Sequence, residues 1–204
     1  MRSGKRRTGF DKDPVAQLHT LEALMTLIII IGVIIFTVQA TSLTPLTSST
    51  ANAHIEAQLQ TLGQDILNSL DHSQYGQTSG LKADITSWNG DPYTWDGNDY
   101  SNRSKAAPIN SSTSEMLKIV VIPRGIAHNV ELSWLDDTEM IRTIPYIYSG
   151  EPSDNAVIIT KRVLISDSDL VAPADFASTM GIQDSDNSTD FYNLVDVRLT
   201  LWRM

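Results

Sequence analysis

The longest uninterrupted pattern in the chain is apolar. From Ala23 to Ala40 no residue carries a charge, and the polar interruptions are Thr26, Thr37 and Gln39. At about 1.5 Å per residue this run extends about 27 Å as a helix, which is close to one hydrocarbon core. Ile28 to Ile31 are β-branched and lower helicity in water, but in lipid the backbone must satisfy its own hydrogen bonds and a helix is forced. We expect a transmembrane helix over residues 17–40. A polar connector with Pro45 follows at 41–50, where the proline either ends the helix or kinks a longer one. In residues 51–70, Ile55, Leu59, Leu62, Ile66 and Leu70 recur at the spacing of one helix face. That face is expected to pack on its own domain, with Gly63 weakening the helix.

The pattern then changes. Residues 71–114 are irregular, with several glycines and the aromatics Tyr75, Trp88, Tyr93, Trp95 and Tyr100, and read as a folded loop region. Strand-like runs follow at Met116–Ile122, Asn129–Trp134, Ile141–Tyr148, Ala156–Ile165 and Tyr192–Trp202, rich in Val, Ile, Tyr and Trp. Val195, Val197, Leu199 and Leu201 alternate with polar residues, the mark of a strand buried on one face. Pro145 inside the third run predicts an edge strand or a bulge. A short helical turn is expected at Pro173–Met180. Helices first and strands afterwards predict an α+β class, or a β-sandwich, with a mainly antiparallel head. The expected organisation is a basic leader (1–16), the membrane helix (17–40), the connector (41–50), an amphipathic stalk helix (51–70) and a β-rich head (71–204).

Charge gives the anchor an orientation. Arg2, Lys5, Arg6 and Arg7 precede the apolar run, and the positive-inside rule places them in the cytoplasm and the C-terminal domain outside the cell membrane. The formal net charge is −9, made up of +2 over residues 1–40 and −11 over residues 41–204. So acidic an outer domain excludes nucleic acid as a partner and disfavours anionic lipid. Asp outnumbers Glu by 18 to 6, which suits a surface that stays hydrated in high salt. The chain has no cysteine, so thiol nucleophiles, Cys-based metal sites and disulfides are excluded.

Candidate chemistry is sparse. His19, His54, His72 and His128 stand in no metal-binding spacing. Two acidic loops, Asp91–Asp99 and Asp184–Asp190, offer oxygens for calcium. In the second, Asp184, Asp186 and Asp190 are the candidate ligands, without the glycine and distal Glu of an EF-hand. The default for such loops is a solvated acidic turn, so no metal and no cofactor are expected. Asp136 and Asp137 could serve glycosidic chemistry or cap a turn. Trp88, Tyr93 and Trp95 could stack on sugar rings or form core. No Walker loop, G-x-S-x-G or S-x-x-K is present, so no catalytic activity is expected. Asn102, Asn110 and Asn187 each head an N-x-[ST] sequon, a glycosylation acceptor on an exported domain.

The segment Gln17-Leu18-His19-Thr20-Leu21-Glu22-Ala23 before the apolar run resembles the start of pilin-like membrane proteins of halophilic archaea. Residues 39–46 and 54–56, with the closing Val197–Arg203, are similar to one such haloarchaeal family of unknown function. The resemblance implies a type IV pilin-related subunit, either a minor pilin or an accessory subunit, assembling through its N-terminal helix. It implies peptidase cleavage between Ala16 and Gln17. Leu21, Glu22 and Leu24 would lie on the assembly face, with Glu22 neutralising a neighbour's N-terminus and setting register. Partners would be membrane lipid, other pilin-like subunits in a homo- or hetero-oligomer, and assembly machinery. The basic residues lie well upstream of Ala16, and Glu22 would be the sixth mature residue, one later than usual. Two alternatives remain open. One is a cleaved secretory signal ending at Ala40. The other is a single-pass anchored extracellular binding module that does not polymerise.

Overall fold

A computed structural model describes residues 14–102 and 107–203, without the side chains of residues 14–16 and 40–51. Residues 1–13 of the expected leader (1–16), and the side chains of Ala16 and the 41–50 connector, lie outside the described residues. The chain divides into two compact units, Met1–Ala51 and Asn52–Met204. One helix, α1, is assigned from Pro14 to Asp71, and Pro45 lies within it.

In the N-terminal unit, Gln17–Gln39 is apolar enough to cross a membrane, with a mean hydropathy of 2.7, and none of it is buried. The leucines, isoleucines and valines here are exposed on every side of the helix. A helix apolar all round has no stable place in water.

The C-terminal unit is an α+β domain. It contains α2 (Gly80–Ser87), a short hairpin of β1 (Thr94–Trp95) and β2 (Tyr100–Ser101), and α3 (Ser112–Val120). The long strands β3 (Ile126–Leu135), β4 (Ile141–Ile147), β5 (Val157–Ser166) and β6 (Phe191–Arg203) follow, with α4 (Pro173–Met180) before the last. They form one antiparallel sheet in the order β4-β3-β6-β5, so the sandwich alternative does not hold.

Alternation along β6 assigns the faces. Val195, Val197, Leu199 and Leu201 pair in register with Trp134, Leu132, Val130 and His128 of β3, and all are buried. Leu59, Ile66, Leu67 and Leu70 of α1 join them in one core. On the opposite face Arg162 grips Asp196 through two bonds of 2.7 and 2.9 Å, and Arg198 lies 3.5 Å from Glu131. β4 is an edge strand, and its register slips beside Val130 and Glu131, opposite Pro145. Proline has no N–H for a ladder, so it sits where the ladder is broken.

One expected strand is a helix. Met116–Ile122 lies in α3 and the 3₁₀ turn Ile122–Arg124. Ser111 and Ser114 form a reciprocal capping box that starts α3. Met116, Leu117, Val120 and Val121 then join the core at helical spacing, and this outweighs the strand propensity of the Ile-Val-Val run.

Candidate functional site

Three features have the makings of function: the exposed helix, the acidic loops and a set of buried polar groups. On the helix, Leu21, Glu22 and Leu24 are all exposed. The Glu22 carboxylate is 75 % exposed and lies 3.8 Å from His19 Nδ1, one turn away. Thr26 donates to the Glu22 carbonyl at 2.8 Å, which returns the hydroxyl to the helix backbone. The carboxylate therefore has a weak, screened neighbour in its own chain and is free to meet another. Gln17 is exposed.

The acidic loops are turns built around their own carboxylates. Asp96 accepts from the N–H groups of Asn98 and Asp99 at 2.9 and 2.8 Å and from Ser101 Oγ at 3.0 Å. These bonds hold its pKa below the usual carboxylate range. Asp186 accepts from Ser188 Oγ at 2.5 Å, from the Ser188 N–H at 3.1 Å and from Thr189 Oγ1 at 3.0 Å, which also lowers its pKa. Asp190 takes Ser168 Oγ at 3.2 Å, and Asp184 takes the Asp186 N–H at 2.9 Å. The three calcium candidates thus turn to separate protein donors, and among the described residues no cluster of three or more His, Asp or Glu could hold a metal ion. Asp136 closes the β3–β4 turn, accepting from the Thr138 and Met140 N–H groups and from Arg142 Nε. It therefore acts as a cap, and Asp137 beside it is exposed.

The aromatics expected to bind or to pack are mostly core. Trp88 and Tyr146 meet edge to face at 5.1 Å, and Tyr93 meets Tyr146 at 6.2 Å. Trp88 also donates its indole N–H to the Asp91 carbonyl at 2.8 Å. Only Trp95 stays half-buried, tilted on Tyr100. Of the three sequon asparagines, Asn110 and Asn187 are exposed. Asn102 differs from them in being buried in the folded domain, 5 % exposed.

Two buried polar pairs escaped the sequence reading. Tyr100 Oη lies 2.7 Å from His128 Nε2, and His128 is 1 % exposed. With the phenol donating to Nε2, Nδ1 carries the proton and points toward the Ile126 carbonyl at 3.4 Å. Burial depresses the His128 pKa and raises that of Tyr100. The folded state thus holds the imidazole neutral. Its stabilising contribution is complete above the unfolded value of about 6.5 and is lost as pH falls below that value toward the folded pKa. Thermal stability of the wild type should therefore fall as pH drops from 7.5 to 5.0, and His128→Gln should flatten that part of the profile. An equal slope in both would remove His128 as the cause.

The second pair joins α2 to α3. Asp84, 7 % exposed, accepts from the Ser112 and Thr113 N–H groups at 3.0 and 2.7 Å. Burial raises its pKa against the pull of those two donors. Gly80, also on α2, has no room for a side chain because its Cβ would stand 2.9 Å from Ser112.

No curated protein and no solved structure matches the chain. A protein-family profile, described as a family of unknown function (DUF7288), matches residues 15–201. That match takes in both the apolar helix and the α+β domain, and the chain therefore belongs to the DUF7288 family.

Proposed function

We propose that this protein is a membrane-anchored, pilin-like surface subunit that assembles with other copies or related chains through its N-terminal helix. The observation that carries the reading is the full exposure of Gln17–Gln39 at a mean hydropathy of 2.7. So much apolar surface must be covered by lipid, by neighbouring helices, or by both. A lone carboxylate at one end of such a helix, Glu22, is costly in lipid and useful as a pairing group between packed helices. The basic residues upstream support a cytoplasmic N-terminus, with the acidic domain facing outward. The domain from Asn52 onward has a core of its own, as a head presented at a surface requires. The role is structural, without catalysis.

The test is the mass of the mature protein from cells with an active prepilin peptidase. The expected N-terminus is Gln17. A persistent intact Met1 chain would sink the cleaved form. In the same cells Glu22→Ala should stay in the membrane fraction but lose its oligomers. Unchanged oligomers would favour the anchored binding module. That second reading is weakened by the burial of Trp88 and Tyr93, which removes two of the three rings it would use.

A further inference from the structure

Ion pairing across residues 52–203 leaves a remainder at one place. Lys82 faces Asp169 at 2.8 Å, Lys161 faces Asp71 at 3.0 Å and Arg142 faces Asp136 at 2.7 Å. Lys118 is held by Asp99, and Arg162 and Arg198 are paired across the sheet. Among the described residues from Asn52 onward, the two remaining cations of this kind, Arg124 and Arg203, face no carboxylate within ion-pair distance. They also sit together. Arg124 ends the 3₁₀ turn before β3 and Arg203 ends β6, where it pairs in register with Ile126. With His54, Thr61, Leu62 and Asp65 of α1 they line an open groove of about 510 Å³, in which two guanidinium charges outnumber one carboxylate.

The opposite charge collects at the other end of the same strand. Asp167 follows β5, and Asp184 and Asp190 precede β6. The Asp167 N–H donates to the Asp190 carbonyl at 3.1 Å and the Ser185 N–H to the Tyr192 carbonyl at 2.7 Å, which gathers these segments at the start of β6. Burial raises the Asp167 pKa, and the nearby carboxylates of Asp184 and Asp190 raise it further. β6 has 13 residues, so its two ends lie roughly 40 Å apart at the usual strand rise. A head with unpaired arginines at one end and crowded carboxylates at the other is complementary to a copy of itself placed end to end. A contact between two different patches is heterologous, so it propagates along a row and does not close as a two-fold dimer does.

We propose that the acidic end of one head, Asp167 with Asp184 and Asp190, docks into the Arg124–Arg203 groove of the next copy. This rests on the assembly reading above and adds a contact between heads to the packing of the apolar helices. Guanidinium forks bind carboxylates with fixed geometry, and closure of the groove would strip water from them. The contact also relieves the repulsion around Asp167.

The chain has no cysteine, so cross-linking reports only on introduced pairs. Full-length Thr61→Cys chains, labelled on the groove wall, are mixed with full-length Asn187→Cys chains, labelled on the acidic loop, in phosphatidylcholine vesicles and oxidised. The mixed disulfide product should exceed either same-label product at least tenfold. R124E/R203E in the first chain should abolish it, and D167K/D184K in the second should restore it, which an unfolded variant could not do. Leu24→Cys chains report separately on association of the apolar helices. A Leu24 product without the mixed product overturns the docking and leaves the assembly reading standing. Loss of both overturns assembly, and the docking with it.

Discussion

Gly63→Leu should lower the thermal midpoint of the domain by roughly 6–12 °C, the shift expected for about 3 kcal/mol of overpacking in a domain of this size. Gly63 is buried on α1 where the helix lies against the sheet. A Cβ there would stand 2.4 Å from Ile159 Cδ1, 2.9 Å from Ile159 Cγ1 and 3.3 Å from Leu201 Cδ1. Leu201 is fully buried in the core, so a leucine at position 63 can be accommodated only by moving the helix away from β5 and β6. Alanine is a weaker test, because its helix propensity returns about 1 kcal/mol and offsets part of the clash. The contact itself can be isolated. Ile159→Ala should recover stability in the Gly63→Leu background while costing stability alone, a coupling that a double-mutant cycle measures. Gly32 supplies the control, since nothing lies within 4 Å of its added Cβ. If Gly63→Leu melts with the wild type, the helix is not seated on the sheet through this glycine.

Asp84→Ala should cost about 3–4 kcal/mol, read as a shift of the denaturation midpoint at unchanged m-value. The start of α3 accounts for all of its N–H groups. Ser111 Oγ takes the Ser114 N–H, and the Ser111 carbonyl takes that of Glu115. The remaining two, on Ser112 and Thr113, belong to Asp84. Removing the carboxylate leaves the buried Thr113 N–H and the partly buried Ser112 N–H unsatisfied and removes a negative charge from a helix N-terminus. Asp84→Asn keeps one acceptor oxygen for one of those N–H groups and should lose less than alanine. The pH dependence carries a second signature. Since burial raises the folded pKa, the wild-type contribution is fullest below the unfolded value of about 3.9 and declines as pH rises through the folded pKa. The variant lacks that decline. A loss under 1 kcal/mol would show that α3 caps itself.

Local pattern was enough for several elements. The apolar run, the alternation along β6, the edge position of β4 and the turn at Pro173 are each set by neighbours in sequence. Their residues bury the same face whatever they pack against. The irregular 71–114 segment was less legible. It holds α2, the small hairpin and the start of α3, and its signals are a serine box and single core residues spaced too far apart for a period to register. The run at Met116–Ile122 shows the same limit, because a short apolar stretch suits helix and strand alike until the core assigns it.

The candidate site divides in the same way. Glu22 and the exposed apolar helix are properties of one segment, so the amino-acid sequence by itself determined them. Gly63 reads as a weak point in a helix when taken alone, and only the sheet behind it makes it a required gap. His128 and Tyr100 are 28 residues apart, as are Asp84 and Ser112. Arg124 and Arg203 become a common groove only because β3 begins where β6 ends. Hydrophobic period is a local property and survives in one dimension. Pairing of buried polar groups, and the leftover charges that pairing exposes, depend on contacts between distant segments that only the tertiary structure decided.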